Sequence, residues 1–229
     1  MKGHLKSLAA PATWVLKRKE TKFIVRPNPG HNINYSLPLS LLLKKLNVAQ
    51  TQKEAKFALN KKNILVNGKA RNDIKYPVTI FDIITIVPEK KNYIIIIDQK
   101  GKLVFKETSD HSKKLTKLIG KVVLSGKKLQ LNFEDGTNIL STNSKDLPNI
   151  GDGVLLKIPE NKIEKVLPLK AGSTVYLIAG SQKGKIAKLK SFDREHAVLI
   201  EGGEEYKTNK NYVFVVDTHL DKIMKDNLL

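Results

Sequence analysis

The spacing of hydrophobic residues changes along this chain, and the changes mark out its parts. Over 36–60 the spacing is helical. Leu37, Leu41, Leu42 and Leu46 make one apolar stripe, with Ser36 in the capping position and Pro38 near the start. Thr51 followed by Glu54 is a capping-box pattern, so a second helix is expected to reach about Asn60, with Ala55, Ala58 and Leu59 inward. A short strand at 64–66, the turn Asn67-Gly68-Lys69 and a strand at 83–87 complete a compact α/β unit over 36–87. From 92 to 168 the pattern is that of short strands, expected at 93–98, 102–107, 121–124, 128–133, 137–140 and 154–158. Turns fall at Asp98-Gln99-Lys100-Gly101, Ser125-Gly126-Lys127 and Glu134-Asp135-Gly136-Thr137. The stretch 111–118 fits either a short helix or a loop, and Pro159 and Pro168 bracket a connecting segment.

Residues 171–216 predict a small β-barrel from strands at 175–178, 185–192, 196–200 and 212–216, with Gly172, Gly180, Gly184 and Gly202-Gly203 as turns or bulges. The two ends lack such order. Before residue 36 the apolar residues Leu5, Leu8, Trp14, Val15, Leu16, Phe23 and Ile24 are irregularly spaced. Pro11, Pro27 and Pro29 interrupt any long helix there. An extended basic arm is expected, of the kind that orders on its partner. After residue 217 only weak helical periodicity remains, which fits a short helix or a disordered tail.

Charge changes this picture from scaffold to surface. The 229 residues carry a net +19, with 41% hydrophobic residues, enough for real cores. An excess this large costs self-repulsion and points to a polyanionic partner. It is unevenly placed: residues 1–80 hold 16 Lys and Arg against three acids, net +13, while 81–169 hold net +4 and 170–229 net +2. The basic residues are nearly all lysine; Arg18, Arg26, Arg71 and Arg194 are the four arginines. Lysine is a flexible point charge suited to phosphate oxygens, so backbone contact is expected more than base reading. Phosphate oxygens are common to DNA and RNA, so either polyanion fits this charge.

Three groups carry the candidate contacts. In the arm they are Lys2, His4, Lys6, Lys17, Arg18, Lys19, Lys22 and Arg26, around Trp14 and Phe23. Trp14 either stacks on a base or fills a core, and its apolar neighbours Val15 and Leu16 favour the core. In the α/β unit they are Lys44, Lys45, Lys53, Lys56, Lys61, Lys62, Lys69 and Arg71. In the barrel they are Lys183, Lys185 and Lys188, in the sequence from Val175 to Leu189 whose centre is a glycine turn with a Lys-Gly-Lys tip. The plain alternative in each case is a solvated, solubilising surface.

Other chemistry is poorly represented. The run Gly180-Ser181-Gln182-Lys183-Gly184-Lys185 leads into a strand, whereas a nucleotide loop needs a longer glycine spacing that opens a helix. His4, His31, His111, His196 and His219 lack metal-ligand spacing, and there are no cysteines for disulfides or thiolate sites. Acids such as Asp82, Asp98, Asp135, Asp152 and Glu164 lie mostly beside turns, and no serine sits in a nucleophile-elbow setting. The longest apolar runs, such as Ile94 to Ile97, are too short to span a bilayer, and no secretory signal is expected. No enzyme, cofactor, membrane partner or small-molecule substrate is expected.

These residues closely resemble one family over essentially the whole chain: ribosomal protein S4e of the archaeal and eukaryotic small subunit. The opening from Gly3 to Pro11 followed by Trp14, and Arg26-Pro27-Asn28-Pro29-Gly30-His31, are similar to that family's start. Glu54-Ala55 through Val66-Asn67-Gly68-Lys69, then Asp73 and Asp82, resemble its RNA-binding module, shared with bacterial ribosomal S4. Asp135-Gly136-Thr137-Asn138 and Gly151-Asp152 resemble central landmarks, 175–189 resembles a KOW motif, and Tyr206 to Val216 resembles the segment after it. The sequence departs from the pattern at Phe81 and Ala187, where glycine is usual, and at Lys207-Thr208-Asn209-Lys210, where the family is richer in arginine.

The resemblance implies a multidomain α+β protein. Its parts would be a basic arm (1–36), an S4-like module (37–90), a central β-rich domain (91–169), an SH3-like barrel with the KOW motif (170–217) and a tail (218–229). It implies an archaeal, cytoplasmic constituent of the small ribosomal subunit that binds small-subunit rRNA beside neighbouring ribosomal proteins, with Mg²⁺ only as an rRNA-associated ion. His31 joins the RNA-contact set on this basis. A free assembly or translation factor is the alternative, followed by an RNA-modifying enzyme and a DNA binder.

Overall fold

Helices form here only where an apolar stripe coincides with a stop or a cap, and the remaining chain pairs into sheets. The computed structural model describes residues 4–110, 112–141 and 147–217. It is an α+β fold with several β-sheets and few helices. The chain divides into two compact units, one of residues 1–96 with 102–112, the other of 97–101 with 113–229.

In the first unit the order is β1 (Leu5–Lys6), β2 (Phe23–Ile24), β3 (Ser36–Pro38), α1 (Leu39–Lys45), α2 (Gln52–Asn60), β4 (Ile64–Val66), β5 (Lys69–Ala70), β6 (Pro77–Thr79), β7 (Ile83–Ile86), β8 (Lys91–Ile97) and β9 (Leu103–Glu107). β1 pairs with β2 and β3 with β6, and the order β5-β4-β7-β8-β9 makes a five-stranded sheet. α1 buries Leu39, Leu42 and Leu43 at helical spacing. Its cap position is Pro38 rather than Ser36. Ser36 is instead in β3, opposite Thr79, and its hydroxyl donates to the Asn32 carbonyl at 3.0 Å. α2 starts at the expected capping box: the Thr51 hydroxyl accepts from Glu54 N at 3.2 Å, and the Glu54 carboxylate accepts from Gln50 N at 2.8 Å. It buries Ala55 and Leu59.

The arm departs from expectation. Residues 4–36 are not a free extension but lie against the first unit. Trp14 is 1% exposed, and its Nε1 donates to the Ser36 carbonyl at 2.9 Å. Leu103 N donates to the Thr13 carbonyl at 2.8 Å, and Ser7 N to the Lys22 carbonyl at 3.0 Å. A buried indole and scattered backbone bonds hold this segment, which is why no periodic signal announces its order.

Asp82 organises the turn before β7. Its carboxylate accepts from Thr79 N at 2.7 Å and from Asn67 Nδ2 at 2.9 Å, while Asn67 Oδ1 accepts from Ile83 N at 2.9 Å. Beside it Phe81 has φ 66° and is 1% exposed. A non-glycine residue in this left-handed region is strained, and burial of its ring offsets that strain.

The second unit continues with β10 (Lys113–Leu124), β11 (Lys128–Phe133), β12 (Asn138–Ser141), β13 (Gly153–Lys157), β14 (Lys162–Leu167), β15 (Thr174–Leu177), β16 (Ile186–Phe192), β17 (His196–Glu201), β18 (Glu204–Asn209) and β19 (Val213–Val215). Two antiparallel five-stranded sheets result, ordered β12-β11-β10-β13-β14 and β18-β17-β16-β15-β19. Leu118, Leu131, Phe133, Val154 and Leu156 form the core of the first of these. β10 pairs with β13 over Lys113 to Lys117 and with β11 from Leu118 to Leu124, shifting register between Leu118 and Gly120.

Three expectations change here. The 113–118 stretch is strand, not helix or loop, and β13 pairs with Lys113 to Lys117; His111 lies outside the described residues. The segment between Pro159 and Pro168 is strand β14, and β18 adds a strand after the Gly202-Gly203 turn. The tail 218–229 lies outside the described residues.

Candidate nucleic-acid interface

Six of the expected basic residues sit on the two helices and at the exit of the second. α1 places Lys44 and Lys45 in its last turn, where positive charge opposes the negative end of the helix dipole. α2 exposes Lys53 and Lys56, and its exit exposes Lys61 and Lys62. Lys62 has φ 57°, the left-handed residue that ends the helix and turns the chain into β4. Lys69 is exposed on β5. Arg71 is half-buried, with its guanidinium over the Tyr76 ring, 4.5 Å from the centroid, in a cation–π contact.

The nearby acids are engaged locally. The Glu54 carboxyl is held below its usual range by hydrogen bonds from Gln50 N and Thr51, with a smaller contribution from Lys44. It therefore stays ionised within the cap. Asp73 accepts from Asn28 Nδ2 at 2.6 Å and from Lys75 N at 2.8 Å.

Within the arm the predicted set divides. Lys6 and Lys19 are exposed, and Lys17 is exposed but ion-paired to Glu20 at 2.8 Å. His4 is exposed and packs edge-on to Phe23 with centroids 5.2 Å apart. Arg18 is half-buried, and its guanidinium donates to the Leu8 and Pro11 carbonyls at 3.2 and 2.9 Å. Arg26 and His31 are half-buried, and Lys2 lies outside the described residues.

In the second unit the glycine turn is present, with Gly180 at φ 92° and Gly184 at φ 79°. A Cβ on Gly184 would lie 2.4 Å from the Asp98 carbonyl carbon, so glycine is required by close backbone approach as well as by φ. Its lysines are less free than the sequence suggested. Lys183 lies over Gly101, Lys185 pairs with Glu201 at 3.1 Å, and only Lys188 of the three is fully exposed.

Two further lysines are interior. Lys114 pairs with Asp135 at 2.7 Å, each side chain 7% exposed. Lys117 donates to the Lys210 and Asn211 carbonyls at 3.2 and 3.0 Å and lies 5.2 Å from the Phe214 centroid. Burial pushes the Lys117 ammonium down, against the opposing pull of Glu134.

Phe57 was missed by the sequence reading. It stands on α2 two positions from both inward residues and is 61% exposed. The available signal was helix arithmetic: residues four apart share a face, and Lys53 and Lys61 lie four to either side.

Among the described residues no group of three or more His, Asp or Glu could hold a metal ion, and no helix is long and apolar enough to cross a membrane. Fold and surface thus define a modular, lysine-rich α+β protein. Comparison with known proteins specifies it. Residues 1–33 match the RS4NT (NUC023) domain and residues 89–163 match ribosomal family S4e. The chain is 38% identical to small ribosomal subunit protein eS4 of Methanocaldococcus jannaschii, covering 94% of each chain. It is equally 38% identical to the eS4 of Archaeoglobus fulgidus, covering 93% of this chain and 92% of that one. The crystal structure of 30S ribosomal protein S4e from Thermoplasma acidophilum shares the fold, with a TM-score of 0.65 and 24% identity over 80% of this chain and 94% of that one. The chain belongs to the S4e family, in its archaeal type.

Proposed function

We propose that this protein is a structural constituent of the small ribosomal subunit that binds and stabilises folded small-subunit rRNA. The observation that carries this reading is the concentration of exposed lysines on α1, α2 and β5, with the local acids tied into caps and turns. Lysines held on short rigid elements neutralise converging phosphates and release counterions, which gives affinity without base reading. In this reading residues 37–90 are an S4-like RNA-binding module, 91–169 a central β-rich domain, and 170–217 an SH3-like barrel whose KOW motif presents Lys188, with Lys183 and Lys185 beside it. Residues 1–36 supply Lys2, His4, Lys6, Lys17, Lys19, Arg26 and His31, with Arg18 bracing the arm. Neighbouring small-subunit proteins are the other partners, and the location is the cytoplasmic ribosome.

The test is co-sedimentation with purified small subunits after a high-salt wash. Retention near one copy per subunit is expected. Strongly substoichiometric retention would instead mark a free assembly or translation factor. Replacing one contact, Lys56→Gln, should weaken rRNA binding modestly and lower the slope of log affinity against log salt by about 0.7–0.9. An unchanged slope would remove Lys56 from the interface.

A further inference from the structure

Resting on the rRNA-binding reading, we infer that Phe57 is a stacking platform for an unpaired nucleotide, with Lys53 and Lys61 placed for its flanking phosphates. α2 turns Ala55 and Leu59 inward, and a residue two positions from each points to the opposite side. A phenylalanine there gains little from burial in this protein, since it is 61% exposed. Lys53 lies one turn before it and Lys61 one turn after, and the Lys61 Nζ is 4.3 Å from the ring centroid. Lys56, beside the ring in sequence, is also exposed. Glu54, the acid nearest in sequence, directs its carboxylate back to Gln50 N, Thr51 N and the Thr51 hydroxyl.

The result is an exposed aromatic ring with the Lys61 ammonium over it and Lys53 one turn away, while the one acid of the helix is turned back into the N-terminal cap. A nucleotide is the ligand whose chemistry matches both parts: a base supplies a π-face for the ring and the backbone supplies the anions. A base-paired nucleotide keeps its faces inside the duplex, so the ligand is a nucleotide of a loop, bulge or junction. A protein partner fits less well, because the buried centre of a protein interface is depleted of charge and docking on this ring would desolvate both lysines. The cationic contact set expected for the module thus gains one contact that is independent of salt.

That independence supplies the test. Full-length wild type and the variants Phe57→Leu, Phe57→Trp and Lys53→Gln are titrated against transcribed small-subunit rRNA at several salt concentrations. The Phe57 side chain is exposed, so each variant is expected to fold, which Trp14 fluorescence checks. Phe57→Leu should weaken binding roughly 5- to 150-fold, the range for losing one base–aromatic stack, with the salt slope unchanged. Phe57→Trp should retain affinity. Lys53→Gln should weaken binding and lower the slope by about 0.7. Wild-type affinity for Phe57→Leu, while wild type binds rRNA specifically, would overturn the stacking role and leave the RNA-binding reading standing. Wild-type affinity for naked rRNA with poor incorporation into reconstituted subunits would assign Phe57 to a protein neighbour instead. Failure of wild type to prefer rRNA over polyadenylate would overturn both readings.

Discussion

Phe81 offers a direct test of the energetics argued for the first unit. Its backbone sits at φ 66° and its ring is 1% exposed. Two opposed terms meet there. A left-handed conformation costs a residue with a Cβ about 1–2 kcal/mol. Removing a buried phenylalanine ring down to alanine costs about 3–5 kcal/mol through lost burial and the cavity left behind. Phe81→Ala loses the ring and keeps the strain. Phe81→Gly loses the same ring and relieves the strain, but adds about 0.4–1 kcal/mol of unfolded-chain entropy. The expected order is therefore inverted from the usual one, with glycine more stable than alanine by about 0.5–1 kcal/mol. Phe81 N donates to the Ile95 carbonyl at 2.8 Å, a backbone bond open to both variants. Urea denaturation followed by the fluorescence of Trp14, the sole tryptophan and a buried residue of this unit, reports the relevant transition. An alanine variant equal to or more stable than the glycine variant would refute the strain argument.

Other outcomes follow from single interactions. Asp135→Asn or Lys114→Met alone should destabilise the second unit by about 3–5 kcal/mol, whereas the double variant should recover most of that loss, as a double-mutant cycle in urea would show. Burial alone would raise the Asp135 carboxyl, but Lys114 and the Thr137 bonds hold it below its ordinary 3.8. Its stabilisation is thus present above about pH 3.8 and lost as pH falls further, and Asp135→Asn should flatten that part of the stability profile. Tyr176→Phe removes a buried hydroxyl that accepts from Ile97 N at 3.0 Å and donates to the Ile97 carbonyl, so a loss of about 1–3 kcal/mol and faster exchange of the Ile97 amide are expected. Thr51→Ala should cost about 1 kcal/mol and increase amide exchange in the first turn of α2.

What the sequence made legible is what local chemistry decides. The Thr51–Glu54 box, the α2 boundary near Asn60 and the glycine turn at 180–184 each depend on a few adjacent residues. The first half of strand β10 was hidden because its polar residues are interior, whereas the strand expected at 121–124 is its second half. Lys114 pairs with Asp135 and Lys117 donates to two carbonyls, so both faces of the strand are covered and alternation disappears. β14 and β18 each carry exposed charged residues at three of six positions, and pairing across the sheet holds them rather than a hydrophobic face. The arm was read as extended because its anchors are a single indole and backbone bonds to distant residues. In the candidate interface, lysines could be counted but not sorted. Exposure separates Lys53, Lys56 and Lys61 from Arg18 and Lys185, whose charges are used within the protein.

The split pairing of β10 also has a consequence for the order of assembly. Its second half closes on β11 through the short turn Ser125–Lys127, while its first half must find β13, with Lys117 opposite Gly153. The near contact encloses few residues and the far one many, so loop-closure entropy favours the hairpin first. During synthesis the β10–β11 hairpin, with Asp135 just beyond it, can form before β13 has been translated, leaving Lys117, whose carbonyl partners are at 210 and 211, to be covered afterwards. The slowest part of this unit to mature is then the half of the strand that carries its buried charge.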